Sequence, residues 1–148
     1  MKANSHTKIA SCLAVALAAS VSTPAHAEGF AVARHRTNTA NLDAETLRKA
    51  YSGRIKQWES GAVVQVALIV SEDAPETKYL AGAMGMSPRE FLNRVQQEVF
   101  RGEMRRPTAI RSSADCVAAV RANPGTICPI ADAAVATLPA EVTTGAKK

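Results

Sequence analysis

Histidine and cysteine, the residues from which most metal centres are built, are scarce in this sequence. It has three of each among 148 residues, and only His35, Cys116 and Cys128 lie beyond residue 27. Zinc sites take four ligands drawn mostly from these two residue types. The sequence therefore predicts no metal site and no cofactor.

Motifs of catalysis and nucleotide binding are missing as well. The sequence has no G-x-S-x-G nucleophile elbow, no phosphate-cradling P-loop and no G-x-G-x-x-G turn. A serine-type triad would have to use His35, whose neighbours Arg34 and Arg36 disfavour the imidazolium that a triad base becomes. We therefore expect a protein without catalytic residues, which is not an enzyme.

The first 27 residues have the three parts of a secretory signal peptide. Lys2 and Lys8 supply a positive start, and the apolar run IASCLAVALAASV that follows is too short to span a bilayer. Ala25 and Ala27 then match the small residues of a cleavage site. No later segment is long and apolar enough to cross a membrane. The sequence predicts a periplasmic or secreted protein that is not transmembrane.

Cleavage after Ala27 would leave a chain long enough for one domain. Loss of Lys2 and Lys8 would lower the formal net charge from +5 to +3. This mild charge, together with export, argues against a nucleic-acid partner. We predict a domain over residues 28–138 and a polar, disordered tail over residues 139–148.

Cys116 and Cys128 form an even pair in a chain predicted to enter an oxidising compartment. This context favours a disulfide between them, which would stabilise the fold by about 3 kcal/mol. The alternative is a pair of buried thiols that act as small hydrophobic residues.

Strand-like and helix-like segments alternate along the chain beyond residue 28. Apolar, β-branched runs predict strands at 30–34, 62–70 and 126–130. Capping sequences predict helices that begin after Asp43, after Asp73 in DAPE, after Ser87 in SPRE, and after Ser112 or Ser113. Pro129 restricts the last of these strands to a sheet edge or to its final residues. The alternation predicts an α/β domain with a largely parallel sheet flanked by helices.

Three segments, in this order, resemble the phosphate-binding, periplasmic-type solute-binding proteins. They are LDAETLRKAYSGRIKQWESGAVVQVALIV, FLNRVQQEVFRGEMRRP and SADCVAAVRANPGTICPI, and the resemblance covers about Phe30 to Ile130. Members of that family hold the anion between two lobes, and this chain has the length of one. The resemblance implies a single lobe that binds phosphate or another small oxyanion, as a solute-binding component of ABC-type phosphate transport.

The same resemblance bears on Trp58, the single tryptophan of the chain. It implies that the indole packs where the first helix meets the strand that begins near Ala62. Gly53 and Gly61 would permit the turns on either side. The alternative is an exposed stacking platform for a ligand.

The resemblance also locates a candidate ligand loop. In the family, hydroxyls and backbone N–H groups at a helix N-terminus hold phosphate after the strand that matches VALIV. The corresponding segment here is SEDAPETK, residues 71–78, in which Ser71 and Thr77 supply hydroxyls. We predict that these two residues contribute to weak anion binding.

Carboxylates set this loop apart from the family pattern. Glu72, Asp73 and Glu76 bring negative charge to the place of an anion, and Pro75 lacks an N–H donor. An alternative for the three carboxylates is a cation site.

A second function is compatible with the same fold. The segment FRGEMRRP, residues 100–107, carries Arg101, Arg105 and Arg106. These cations form a candidate surface for a membrane transporter or a regulatory protein, in a chain that kept the fold but lost the ligand. Cations at a helix end also offset the helix dipole.

Overall fold

A five-stranded sheet covered by helices on both faces is the frame of this protein in its computed structural model, which describes residues 29–145. The strands are β1 (Phe30–His35), β2 (Gln65–Leu68), β3 (Thr108–Ala109), β4 (Thr126–Ala131) and β5 (Val142–Thr144). The helices are α1 (Ala44–Ala50), α2 (Pro75–Ala83), α3 (Pro88–Phe100), α4 (Ser113–Ala122) and α5 (Asp132–Val135). No helix in this range has the length and apolar composition needed to cross a membrane.

The sheet is mixed, with the strand order β3-β2-β4-β1-β5. Strand β2 pairs in parallel with both β3 and β4, whereas β1 pairs antiparallel with both β4 and β5. Four strands therefore run in one direction and β1 runs against them. The predicted α/β class is confirmed, but the sheet is less parallel than expected because β1 lies between two strands of opposite direction.

Side-chain alternation along the strands divides the core into two layers. In β1, Val32 packs with the layer under α1, α2 and α3, while the next residue, Ala33, packs with the layer under α4. The first layer contains Tyr51 and Phe91, whose ring centroids are 5.8 Å apart. Burial on both faces explains why β2 and β4 are nearly uniform apolar runs in the sequence.

Local hydrogen bonds begin three of the helices where the sequence predicts. The side chain of Asp43 accepts a hydrogen bond from Thr46 N at 2.7 Å. Ser87 and Glu90 form a reciprocal capping box. Ser112 caps α4, because its side chain accepts a hydrogen bond from the backbone N–H of Asp115, the third residue of the helix.

Helix α2 begins differently from the prediction. Its N-cap is Ala74, which offers no side-chain acceptor, and Pro75 occupies the first turn. The predicted cap at Asp73 is wrong because this residue lies one position before the N-cap. Its carboxylate is exposed instead.

Pro129 lies in the central strand of the sheet, so the first of its two predicted locations, a sheet edge, is wrong. The second, the last residues of the strand, agrees with its position two residues before the end of β4. The ladder between β2 and β4 covers only Thr126 and Ile127 of β4. Beyond that point β4 pairs with β1 alone, and Pro129 stands opposite Val32. The missing N–H of the proline therefore falls where β4 has one paired side.

The chain after Pro139 is part of the sheet, in contrast to the predicted disordered tail. Val142 is buried and pairs with His35 of β1, and Gly145 N donates to Val32 O at 2.9 Å. Strand β5 thus covers a side of β1 that would otherwise be a free edge. Residues 146–148 and the predicted signal peptide, residues 1–27, lie outside the described residues.

A disulfide joins Cys116 of α4 to Cys128 of β4, with 5.9 Å between the two Cα atoms. This separation is ordinary for a bridge, and both residues are fully buried. The bridge holds α4 against the central strand, and the predicted pairing is confirmed.

Candidate functional site

Trp58 is occupied by contacts inside the protein. Its side chain is 5% exposed and belongs to the core layer under α1, α2 and α3. The indole Nε1 donates to Gly125 O at 2.8 Å, and Trp58 N donates to Ala62 O at 2.9 Å. The indole therefore lies between the α1–β2 connection and the start of β4, where no ligand can stack on it.

The predicted ligand loop does not bring its two hydroxyls together on the surface. Thr77 has no exposed surface, and its Oγ1 donates to Ile69 O at 2.6 Å. This bond ties the first turn of α2 to the end of the β2 segment. Ser71 is exposed. The prediction of Thr77 as a ligand residue is wrong, because burial removes its hydroxyl from any molecule in solution.

The carboxylates of this loop remain at the surface. Glu72 and Asp73 are exposed, and Glu72 pairs with Arg89 Nε at 3.9 Å. Within residues 29–145, no group of three or more histidine, cysteine, aspartate and glutamate side chains is placed to hold a metal ion. The alternative cation site built on Glu72, Asp73 and Glu76 is therefore not formed.

A different cavity combines charge with an apolar floor, and we call it the cationic pocket. Its volume is about 390 Å³, within the range of small-molecule sites. It is lined by Ala50, Gly53, Ile55, Lys56, Gln57, Val63, Val64, Val66, Glu103, Met104 and Arg105. These residues come from the end of α1, the α1–β2 connection, β2 and the segment after α3.

The two sides of the cationic pocket meet at the backbone carbonyl of Glu103. Lys56 Nζ donates to Glu103 O, which joins the α1–β2 connection to the segment after α3. At Gly53, whose φ is +71°, a Cβ atom would lie 2.4 Å from the same carbonyl oxygen. Only glycine permits this approach, so Gly53 is a structural requirement of the pocket.

The charge of the cationic pocket is unbalanced. Lys56 and Arg105 are exposed, and neither forms an ion pair with a carboxylate within residues 29–145. Glu103 is the one acidic residue among the described residues of the lining. Two cations over an apolar floor can accommodate a small anion, including one that carries an apolar group.

A second cavity, which we call the apolar groove, is lined by other residues of the segment 100–107 than those that line the cationic pocket. Its volume is about 410 Å³. It is lined by Leu68, Val70, Leu92, Val95, Gln96, Val99, Phe100, Arg106, Pro107 and Ala109. Val70 and Phe100 are 70% and 84% exposed, more than any other large hydrophobic residue in the described part of the chain.

The three arginines of the predicted interaction surface are all exposed but occupy different places. Arg101 pairs with Glu98 at 3.5 Å, Arg105 lines the cationic pocket and Arg106 lines the apolar groove. Lys56, which lines the cationic pocket together with Arg105, is not among the site residues that the sequence predicts. No local pattern predicts that Lys56 meets this segment, because 47 positions separate Lys56 from Glu103, to whose carbonyl oxygen it donates.

Comparison with family models, with curated proteins and with solved structures finds no match to this chain. The geometry and charge of the cationic pocket and the apolar groove are therefore the basis on which a function can be assigned.

Proposed function

We propose that this protein is an exported, non-enzymatic binding protein for small oxyanions, and that the cationic pocket is its ligand site. The observation that carries the proposal is the pair Lys56 and Arg105, two cations that line one cavity without a carboxylate partner among the described residues. Phosphate is the ligand implied by the resemblance to solute-binding proteins. A role as the solute-binding component of an ABC-type transporter follows from the same resemblance.

The cationic pocket suits an anion better than the loop at residues 71–78 does. In the loop, Glu72 and Asp73 repel an anion, and Thr77 is buried. A like charge a few ångströms from an anion costs on the order of 1 kcal/mol even where the effective dielectric constant is high. The pocket instead offers two cations against one carboxylate.

The expected affinity is modest. A hydrogen bond to a charged group contributes about 1.5–3 kcal/mol, and the pocket offers two such donors at its rim. The pocket is open, and Lys56 already donates to Glu103 O. Displacement of water and ordering of the two side chains therefore offset part of this free energy. We expect a dissociation constant on the order of 0.1–1 mM for phosphate.

Titration of sodium phosphate into the purified protein tests the proposal, by calorimetry and by thermal unfolding. Sodium chloride at equal ionic strength and pH is the reference, because it separates site binding from a general salt effect. Phosphate at about ten times its dissociation constant should raise the free energy of unfolding by about 1.4 kcal/mol.

Two variants with the same change of net charge sharpen this test. Arg105→Gln removes a cation of the pocket, whereas Arg121→Gln removes an exposed cation of α4, on the opposite face of the sheet. Phosphate affinity should fall about tenfold in the first and stay unchanged in the second. Equal losses in both variants, or no saturable heat up to 10 mM (roughly ten times the upper expected dissociation constant), would contradict the proposal.

A further inference from the structure

The apolar groove runs between a helix and the edge of the sheet. Helix α3 contributes Leu92, Val99 and Phe100 to one wall, and the segment at Pro107 and Ala109 contributes to the other. Among residues 29–145, strand β3 pairs only with β2, so its second side is a free edge of the described sheet. Both of its residues are exposed.

Backbone groups on the free edge of β3 point away from the sheet. Ile110 N donates to Leu68 O at 3.1 Å, which directs Ile110 toward β2. Because successive residues of a strand direct their backbone groups to opposite sides, the N–H and carbonyl of Ala109 and the carbonyl of Pro107 face outward. No described residue bonds to these three groups.

The chemistry of the apolar groove is complementary to an apolar segment that carries negative charge. Arg106 is the one charged residue in the lining, and none of the described lining residues is acidic. A second exposed cation, Arg101, directly follows Phe100 in the chain. Exposed apolar surface beside cations is typical of protein-binding sites rather than of a solvated face.

We propose that the apolar groove binds an extended segment of a partner protein, which adds to the free edge of β3 as a strand. Alternate side chains of that segment cover Val70 and Phe100, and a carboxylate of the segment pairs with Arg106. Main-chain hydrogen bonds to Ala109 and Pro107 hold the segment in register. This interaction uses a surface different from the cationic pocket and does not depend on anion binding.

The shortness of β3 limits the partner to a short segment. Only two residues form the strand, and Pro107 offers no N–H. Such features also protect a sheet edge from uncontrolled pairing with other sheets. The groove side chains, rather than a long ladder, therefore supply most of the selectivity.

Selection from a displayed library of random decapeptides tests the proposal. The purified protein is the target, and the Phe100→Ser variant is used to remove peptides that bind elsewhere. We expect enriched peptides with apolar residues at alternate positions and at least one aspartate or glutamate. A synthetic peptide of the enriched sequence should bind with a micromolar dissociation constant in fluorescence anisotropy.

Four matched measurements then decide the mode of binding. Phe100→Ser and Arg106→Gln should each weaken the peptide at least tenfold, while Arg121→Gln leaves it unchanged. N-methylation of the peptide backbone at alternate residues should weaken binding equally, because it blocks the hydrogen bonds of an added strand. Circular dichroism of each variant shows that the fold is retained.

Several results would overturn this inference. One is a library without enrichment, or peptides that bind Phe100→Ser as well as the unaltered protein. An N-methylated peptide of full affinity would exclude strand addition. Light scattering that shows a dimer lost in Phe100→Ser would assign the groove to a second copy of the chain. Flotation with vesicles of anionic lipid, lost in the same variant, would assign it to a membrane surface.

Discussion

Replacement of Gly125 by alanine is the most direct test of the packing at the start of β4. The carbonyl of Gly125 accepts from Trp58 Nε1 at 2.8 Å and from Gln65 N at 3.1 Å. Its N–H donates to Asn123 Oδ1 at 3.0 Å. A Cβ atom at this position would lie 1.9 Å from Val63 O and 2.9 Å from Val63 C.

The expected cost comes from sterics, because the φ of Gly125 is not in the left-handed region. The atoms that the new Cβ would meet belong to the backbone of Val63. The clash can therefore be relieved only if the start of β4 moves away from the α1–β2 connection. Overpacking of this kind costs about 1–3 kcal/mol, and weakening of the hydrogen bonds from Trp58 and Gln65 adds about 1 kcal/mol each. We expect a loss of roughly 3 kcal/mol and a fall in Tm on the order of 10 °C.

Gly82→Ala is the matched control. Gly82 lies in α2, and no atom lies within 4 Å of the Cβ that alanine would add. Alanine should stabilise the helix by up to about 1 kcal/mol, because it lowers the entropy of the unfolded chain. Thermal and urea unfolding, followed by circular dichroism and by fluorescence of the single tryptophan, measure both variants. A Tm of Gly125→Ala equal to that of the unaltered protein would refute the close approach.

Two further predictions concern the disulfide and the cap of α1. The double variant Cys116→Ala/Cys128→Ala should lose about 3 kcal/mol of stability in urea unfolding; an unchanged midpoint would contradict a stabilising bridge. Hydrogen bonds from Thr46 hold the pKa of Asp43 below its usual value. The contribution of Asp43 to the free energy of unfolding is therefore present above the ordinary carboxyl pKa, and it is lost as the pH falls through the lowered pKa. Asp43→Ala should therefore lower Tm at pH 7. Asp43→Asn should leave Tm at pH 7 unchanged and make Tm decrease less at acid pH. The same dependence of Tm on pH in the two variants and the unaltered protein would contradict a contribution from the ionised cap.

Several local features followed from the sequence because their causes lie within a few residues. The side chains of Asp43 and Ser87 each accept a hydrogen bond from the backbone N–H three positions later in the chain. Residue type and local spacing therefore suffice to predict these two caps. Cys116 and Cys128 have no other possible partner once the first 27 residues are set aside. The α/β class followed from the alternation of apolar runs with capped helices.

Other features depend on which distant segments meet, and no local pattern encodes that choice. The polar sequence after Pro139 predicts a disordered tail, whereas β5 forms there because it pairs with β1, more than a hundred positions earlier. The resemblance predicts Thr77 as a ligand residue, and only the tertiary structure shows that its hydroxyl is buried and donates to Ile69 O.

The candidate sites show the same division. The sequence determined which cations and apolar residues the segment 100–107 contains. Only the packing of that segment against the α1–β2 connection placed Arg105 beside Lys56. Only the tertiary structure brought the exposed residues Val70 and Phe100 into one groove beside the edge strand β3. Composition and local spacing determine the residues available for binding, whereas strand order and long-range contacts determine which of them share a surface.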